Sequence, residues 1–290
     1  MENQTILSID RELGVWIWNV SSYVPEPNGM LKFCKENGVT EIYYSVNRDV
    51  TDQSYVDLIK KTASYGITSC ALTGDPAWIL PDRQKAYRDY LERVKNINRL
   101  CLDGPKFESI HLDVEPHVLE EVRRDGMENY IKEITDLLKD ARSQADRMGL
   151  SLGWDIPSWM GKFQDEIHGC SLDETFFLYC DTVGVMAYGD SPSVQTSKSL
   201  PNLFHAKKHG RKMMVGCETM DLDEARRANG NCAISYFEEG KGYMYKSIEK
   251  IRDNLAPVYD NFGFAIHHIN SWINLQDHVL PQYIDDIEEI

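Results

Sequence analysis

Short runs of β-branched and aromatic residues alternate along the chain with longer amphipathic runs. The short runs have the length and composition of buried strands. Eight strands are predicted in this way, at 14–19, 40–46, 67–73, 107–115, 150–156, 181–188, 212–218 and 262–269. A regular alternation of strands and helices implies parallel strands joined by right-handed crossovers.

The longer runs carry apolar residues at three- and four-residue steps, which places these residues on one face of a helix. The predicted helices span 51–65, 85–101, 127–148, 162–178 and 194–209, and a further one carries the stripe Met244, Ile248, Ile251 and Leu255. The patterns over 162–178 and 194–209 are weaker, because Gly161, Gly169 and Pro201 interrupt them.

Eight strand–helix repeats in about 250 residues match the size of a closed barrel. The pattern therefore predicts a single α/β domain over residues 1–290, a (β/α)8 TIM barrel. No linker or composition shift divides the chain. A doubly wound open sheet is the alternative, and it normally has a glycine-rich phosphate loop after its first strand. The segment GVWIWNVSSYVPEPNG contains no such loop.

Acidic residues outnumber basic ones by 46 to 31, which gives a formal charge of −15. This charge repels phosphate backbones and anionic lipid surfaces, so we expect neither nucleic acid nor a membrane as partner. A neutral substrate such as a carbohydrate is compatible with it.

The N-terminal segment MENQTILSIDRELG is polar and acidic and shows no secretory signal. No apolar run approaches the ~20 residues that a membrane span needs. The seven cysteines are scattered without Cys-x-x-Cys spacing, which favours reduced thiols over disulfides. We therefore expect a cytoplasmic protein, although a secreted chain that has lost its leader would look the same.

The fourth predicted strand carries an unusual set of polar residues. Strand alternation directs Ile110 and Leu112 outward, and His111, Asp113 and Glu115 toward the barrel axis. Three inward ionisable groups are costly in a purely structural core. They therefore indicate a functional site, and a hydrogen-bonded polar layer is the structural alternative.

Polar residues also gather at other strand ends, where barrel enzymes place their chemistry. They are Asp155 on the fifth strand, Tyr188 and Asp190 after the sixth, Glu218 on the seventh, and His267, His268 and Asn270 at the eighth. All six tryptophans lie within or just after predicted strands, and an indole face can stack on a sugar ring. The candidate platforms are Trp18, Trp78, Trp159 and Trp272, with core packing as the alternative.

Two motifs resemble the chitinase-type glycoside hydrolases of family eighteen. FESIHLDVE is similar to that family's strand-four pattern F-D-G-[I/V]-D-[L/I]-D-x-E, with Asp113 and Glu115 as its final Asp-x-Glu. The first two aspartates of the pattern are Glu108 and His111 here. MAYGD is similar to the family's strand-six Met-x-Tyr-Asp, with one residue inserted before the aspartate.

This resemblance implies a barrel hydrolase in which Glu115 protonates the glycosidic oxygen. Asp113 then orients the substrate's own 2-acetamido group, which attacks the anomeric carbon, and Tyr188 hydrogen-bonds the acetamide carbonyl. Such substrate-assisted hydrolysis differs from the usual two-carboxylate scheme. Because His111 replaces an aspartate, the chain lacks a carboxylate that would help set the protonation of the pair.

A second resemblance is to retaining glycosidases with an acid/base glutamate on strand four and a nucleophilic glutamate on strand seven. Val-Glu-Pro and Gly-Cys-Glu-Thr supply Glu115 and Glu218 for these roles. Both schemes use Glu115 as the acid and differ over Glu218. The remaining candidates for substrate binding are His111, Asp155, Trp18, Trp78, Trp159, Asp190, His268, Asn270 and Trp272.

Two other classes stay open. A metal-dependent barrel isomerase or hydrolase would use the histidines and carboxylates at the strand ends, although no His-x-His or His-Glu-x-x-His spacing is present. A non-catalytic carbohydrate-binding barrel would keep the groove without the chemistry. No phosphate loop, dinucleotide fingerprint or serine nucleophile elbow appears, so no cofactor and no bound metal are expected.

Overall fold

A computed structural model describes residues 12–221 and 231–277, apart from the side chains of residues 231 and 232. Within these ranges eight parallel strands close into a barrel, which confirms the predicted (β/α)8 fold. The barrel strands are β1 (Leu13–Ile17), β2 (Glu41–Ser45), β3 (Thr68–Thr73), β4 (Ser109–Leu112), β5 (Ser151–Pro157), β8 (Thr182–Met186), β9 (Lys212–Glu218) and β10 (Phe262–His267). Most of the N-terminal segment read for a secretory signal lies outside the described residues.

Helices connect the strands and pack around the barrel. They are α1 (Asn28–Glu36), α2 (Asp52–Ser64), α3 (Lys85–Leu100), α4 (Glu120–Asp125), α5 (Ile131–Met148), α6 (Leu172–Tyr179), α7 (Pro192–His209), α8 (Lys241–Leu255) and α9 (Ile269–Asn274). The cap of α2 follows its sequence, because the Thr51 side chain accepts a hydrogen bond from the Ser54 amide. The helix α5 ends at Gly149, whose φ of 64° suits glycine.

The predicted helix over 162–178 is wrong in its first half. Strands β6 (Gln164–Asp165) and β7 (Cys170–Ser171) form a short antiparallel hairpin there, and α6 begins only at Leu172. The buried Asp165 carboxylate accepts hydrogen bonds from the Ile167 and His168 amides, and Gly169 turns the chain with a φ of 66°. These local bonds outweigh the helical pattern.

Successive side chains of each strand point in opposite directions, and the buried ones form two separate hydrophobic cores. The larger one lies between the strands and the helices. The smaller one lies inside the barrel and consists of Trp16, Tyr43, Cys70, Leu72, Met214 and Ala265. Three glycines admit large polar or aromatic neighbours to this interior. A Cβ on Gly14 would lie 2.8 Å from the Tyr43 ring, one on Gly153 2.2 Å from His111 Nδ1, and one on Gly184 1.9 Å from Asp155 Oδ1.

The described residues bear on two sequence predictions, one about the cysteines and one about membrane-spanning helices. Six cysteines are free thiols, five of them buried, while the side chain of Cys232 lies outside the described set. Burial raises the pKa of the Cys217 thiol to about 12, which leaves it protonated. Among the described helices, none combines the length and apolar character that crossing a bilayer requires.

The glycine at position 153 gives a test of the interior packing. We expect Gly153→Ala to lower the free energy of unfolding by about 1–3 kcal/mol, because the added methyl group overlaps the His111 ring. Gly29→Ala in α1 is the matched control, since its methyl group meets nothing within 4 Å. Urea unfolding measures both, and a Gly153→Ala variant as stable as the wild type would contradict the packing.

Candidate active site

The carboxyl ends of the barrel strands bring most of the predicted polar residues together. These are Asp113 and Glu115 after β4, Asp155 on β5, Tyr188 after β8, Glu218 on β9 and His267 on β10. Each of these groups either influences the ionisation of another group in the set or is influenced by one. We call this set the mouth cluster.

Asp113 and Glu115 follow the last residue of β4, and both are partly exposed. The Asp113 amide still donates to the Thr73 carbonyl at 2.9 Å, which continues the pairing with β3. Gly74 allows this approach, since a Cβ there would lie 1.7 Å from the Asp113 carbonyl oxygen. Glu115 follows at the start of a 3-10 turn, and about a third of its side chain (32%) is exposed.

Asp155 is the most buried carboxylate of the mouth cluster, at 1% exposure. Its Oδ2 accepts a hydrogen bond from Trp16 Nε1 at 3.0 Å and lies 2.8 Å from His111 Nε2. The His111 ring is stacked on Tyr43 at 4.3 Å, which fixes it inside the barrel. His111 therefore lies beside Asp155 in the barrel interior, and it is itself 2% exposed.

Burial and neighbouring negative charge raise the pKa of Asp113, Glu115 and Tyr188 in the mouth cluster. Burial, then the charges of Asp155 and Glu115, raise the pKa of Asp113 well above its ordinary value. Burial and the Asp155 charge raise the pKa of Glu115, and His267 opposes them. Burial and the charges of Glu218 and Asp113 raise the pKa of Tyr188, which keeps its hydroxyl protonated.

Glu218 lies in a chain of hydrogen bonds at the edge of the mouth cluster. Its Oε1 accepts from the Thr219 and Met220 amides at 2.8 and 2.9 Å, and its Oε2 lies 2.8 Å from His267 Nδ1. Trp18 Nε1 donates to His267 Nε2 at 3.1 Å. Because an indole N–H only donates, Nε2 is the acceptor and the imidazole proton sits on Nδ1, pointing at Glu218.

Other predicted binding residues lie near the mouth with contacts of their own. His268 follows the cis peptide bond after His267, and its Nδ1 accepts from the Asn270 amide at 3.3 Å. Burial and the neighbouring His267 lower the pKa of His268. Tyr23 donates to Asn270 Oδ1 at 2.5 Å. Asp190 is half-buried, and burial raises its pKa.

The tryptophans predicted as platforms fall into two groups. Trp159 is 36% exposed beside His117, and Trp18 is half-buried in the mouth cluster through His267. Trp78 is 4% exposed and packs on Tyr87 and Tyr90, while Trp272 is fully buried and donates to the Tyr245 hydroxyl. The latter two belong to the core between strands and helices, which corrects their prediction as binding residues. Each lies in a short helical segment after its strand, which directs the indole into the core between the strands and the helices.

Sequence reasoning missed Trp16 and Tyr43 as contributors to the site, and it named His267 at its strand end without giving it a role. Trp16 and Tyr43 hold Asp155 and His111, and His267 holds Glu218. The period-two pattern of β1 and β2 places both aromatics on the inward face, which was the available signal. Their pairing partners lie on distant strands, so sequence spacing did not identify them.

A second concave region opens at the opposite end of the barrel. It is a cavity of about 380 Å³, lined by the first residues of several strands, including Glu41, Cys70, Glu108 and Lys212. The Tyr43 hydroxyl donates to Glu41 Oε1 at 2.7 Å there. In barrel enzymes this amino-terminal face serves stability, and the chemistry lies at the carboxyl-terminal face. Among the described residues, no group of three or more histidine, cysteine or carboxylate side chains is arranged to hold a metal ion.

Solved structures share this fold. The chain matches a chitinase from Bacteroides thetaiotaomicron over 90% of both chains, with a TM-score of 0.55 and 9% identity. It matches fungal β-1,4-galactanases over 88% of both chains at 0.54 and 12%, and the Bacillus megaterium spore cortex-lytic enzyme SleL over 93% of this chain and 74% of that one at 0.52 and 10%. The expected resemblance to chitinases is confirmed as a distant one, at the level of the fold.

Several other solved structures resemble the chain less closely. The chain spans 64–69% of the length of several longer enzymes of this group, at TM-scores below 0.5. The sequence matches no protein-family profile and no curated protein sequence.

The raised pKa of Asp113 predicts a pH dependence of stability. A carboxyl with a higher pKa in the folded chain binds a proton on folding, so its contribution to stability is lost as pH rises from its ordinary value of 3.8 through the folded pKa. We expect Asp113→Asn to gain stability relative to the wild type over that interval, by about 1.4 kcal/mol per unit of pKa difference.

Asp181→Asn is the control of opposite sign. Burial opposes ionisation of Asp181, but hydrogen bonds from the Leu152 amide and Arg142 lower its pKa. This variant should lose stability above pH 4, where the wild-type carboxylate is charged. Urea unfolding between pH 4 and 9 measures both, and parallel profiles for Asp113→Asn and the wild type would refute the assignment.

The hydrogen bonds that Glu218 accepts predict that replacing it with glutamine lowers the stability of the folded chain. In Glu218→Gln an NH2 group faces the His267 Nδ1–H, so we expect the free energy of unfolding to fall by about 1–3 kcal/mol. Glu36→Gln, at an exposed surface pair with Lys32, should change it by about 0.5 kcal/mol or less. If nitrogen-15 spectra of the wild type placed the His267 proton on Nε2, the inferred tautomer would be incorrect.

Proposed function

We propose that this chain is a glycoside hydrolase with Glu115 as its general acid. The observation that carries the proposal is the position of Glu115 in the mouth cluster. Its carboxyl is partly exposed and has a raised pKa, and it stands beside the partly buried Asp113 and the buried Asp155. A general acid must be protonated near neutral pH and must reach the leaving oxygen, and this setting favours both. The shared fold of chitinases and a galactanase supports the same reaction class.

In the proposed reaction Glu115 gives its proton to the glycosidic oxygen as the bond from that oxygen to the anomeric carbon breaks. The carbonyl oxygen of the substrate's 2-acetamido group attacks the anomeric carbon and forms a cyclic oxazolinium intermediate. Water then opens this ring, and the Glu115 carboxylate takes the proton from the water. Asp113 accepts a hydrogen bond from the acetamide N–H, and the Tyr188 hydroxyl donates to its carbonyl oxygen.

His111 stands where the chitinase pattern has an aspartate on β4, and Asp155 supplies the carboxylate that is missing there. It lies on the neighbouring strand and is the charge with the largest effect on both Asp113 and Glu115. Trp16 donates a hydrogen bond to one of its oxygens, and His111 Nε2 lies 2.8 Å from the same oxygen. The Asp155 charge favours the protonated form of Asp113. The chain therefore keeps a pair of neighbouring acids, built from β4 and β5 instead of from β4 alone.

The contacts of Glu218 favour substrate assistance over a glutamate nucleophile. Both of its oxygens already accept hydrogen bonds, from two backbone amides and from His267. The residue is only 6% exposed, which leaves a sugar little access to its carboxylate. We therefore assign Glu218 the role of holding His267 and, through it, Trp18.

The acid assignment predicts the effect of Glu115→Gln. We expect kcat on aryl glycosides to fall by about 10²–10⁴, because the amide cannot donate the proton, with the unfolding transition unchanged. Glu121→Gln, an exposed glutamate of α4 that pairs with Arg83, is the matched control and should keep full activity. Normal turnover by Glu115→Gln would overturn the assignment.

The same assay separates the mechanisms and the other classes of protein. Nitrophenyl glycosides with and without a 2-acetamido group are compared, and we expect hydrolysis only of the first. Hydrolysis of both, abolished in Glu218→Gln, would instead identify Glu218 as nucleophile. Activity lost to a chelator and restored by a divalent metal would identify a metal-dependent enzyme. Saturable binding of oligosaccharides without turnover would identify a non-catalytic carbohydrate-binding barrel.

A further inference from the structure

His117 contacts Glu115 from the loop that follows β4. It lies in the 3-10 turn Pro116–Val118, and its Nε2 is 3.4 Å from Glu115 Oε2. The edge of its ring meets Trp159, with ring centroids 5.0 Å apart at an angle of 83°. The imidazole therefore lies between the acid and the exposed indole. Neither the motifs nor the proposed reaction gives it a part.

The surroundings of His117 indicate which of its ring nitrogens carries the proton. Its Nδ1 is buried and has no hydrogen-bond partner among the described residues. A proton on Nδ1 would bury an unpaired donor, so the proton is more stable on Nε2, facing Glu115. Burial and the positive charge of Arg123, which donates to the His117 carbonyl at 3.2 Å, lower the pKa of the imidazole. His117 is thus a neutral donor at neutral pH.

We propose that His117 is the positioning residue of the acid: its Nε2–H binds the carboxylate form of Glu115 and holds it in place between the two proton transfers. This inference rests on the proposed function. A hydrogen bond to the carboxylate stabilises the ionised form, and so limits the rise in the Glu115 pKa that burial and Asp155 cause. A second ionisable neighbour of Glu115, His267, acts in the same direction. The charged and titratable groups that face Glu115 are Asp113, His117, Asp155, Tyr188 and His267.

The experiment titrates Glu115 directly in the full chain. Glutamate carboxyl carbons are labelled with carbon-13, and Glu115→Gln assigns the resonance. We expect His117→Ala to raise the Glu115 midpoint by about half a pH unit to one unit, because the donor to the carboxylate is lost. In His117→Gln the amide N–H can also donate to Glu115, so this variant should bring the Glu115 midpoint most of the way back to the wild-type value. His205→Ala is the matched control, since this half-buried histidine also lies beside carboxylates, on α7.

Kinetics on a cleaved aryl glycoside give the second readout. We expect His117→Ala to move the alkaline limb of the kcat profile upward by the same amount and to lower kcat roughly tenfold with little change in KM. Trp159→Phe should instead change KM and leave that limb in place. An unshifted Glu115 midpoint in His117→Ala, or a shift that Gln does not reverse, overturns the inference. If no glycoside is cleaved by the wild type, the hydrolase proposal fails while the carbon-13 titration still decides the His117–Glu115 contact.

Discussion

The interior of an eight-stranded barrel has little room, and the site depends on how this room is shared. Three inward positions are glycines, and each makes space for one large side chain from an adjacent strand. Gly153 admits His111, Gly184 admits Asp155 and Gly14 admits Tyr43. Without these gaps the buried carboxylate of Asp155 would have no place below the mouth, and the acids above it would lack the charge that raises their pKa.

Buried like charge gives this site its chemical character. Asp113 follows β4 and Asp155 lies on the neighbouring strand β5, and only one oxygen of Asp155 accepts a hydrogen bond, from Trp16. Burial and the Asp155 charge favour the protonated forms of Asp113 and Glu115. Glu218 is the opposite case, since two amides and His267 satisfy its carboxylate. In the proposed reaction the two halves of the mouth therefore differ in role, one for proton transfer and one for support.

The sequence by itself determined the order of strands and helices and the inward direction of His111, Asp113 and Glu115. These follow from local periodicity, because alternation by two fixes the face of a strand wherever its neighbours lie. It also predicted Glu115 as the acid through a short motif. It failed over 162–178, where side chain to backbone bonds of Asp165 build a hairpin that residue spacing does not reveal.

Only the tertiary structure decided which partners these residues meet. Trp78 and Trp272 follow their strands as Trp159 does, yet short helical turns bury the first two in the outer core and leave the third exposed. Asp155 lies near Asp113 because β5 pairs with β4 in the barrel, and His267 reaches Glu218 because β10 pairs with β9. Such contacts join residues tens of positions apart. Their geometry is set by barrel closure and register, which no local pattern in the chain encodes.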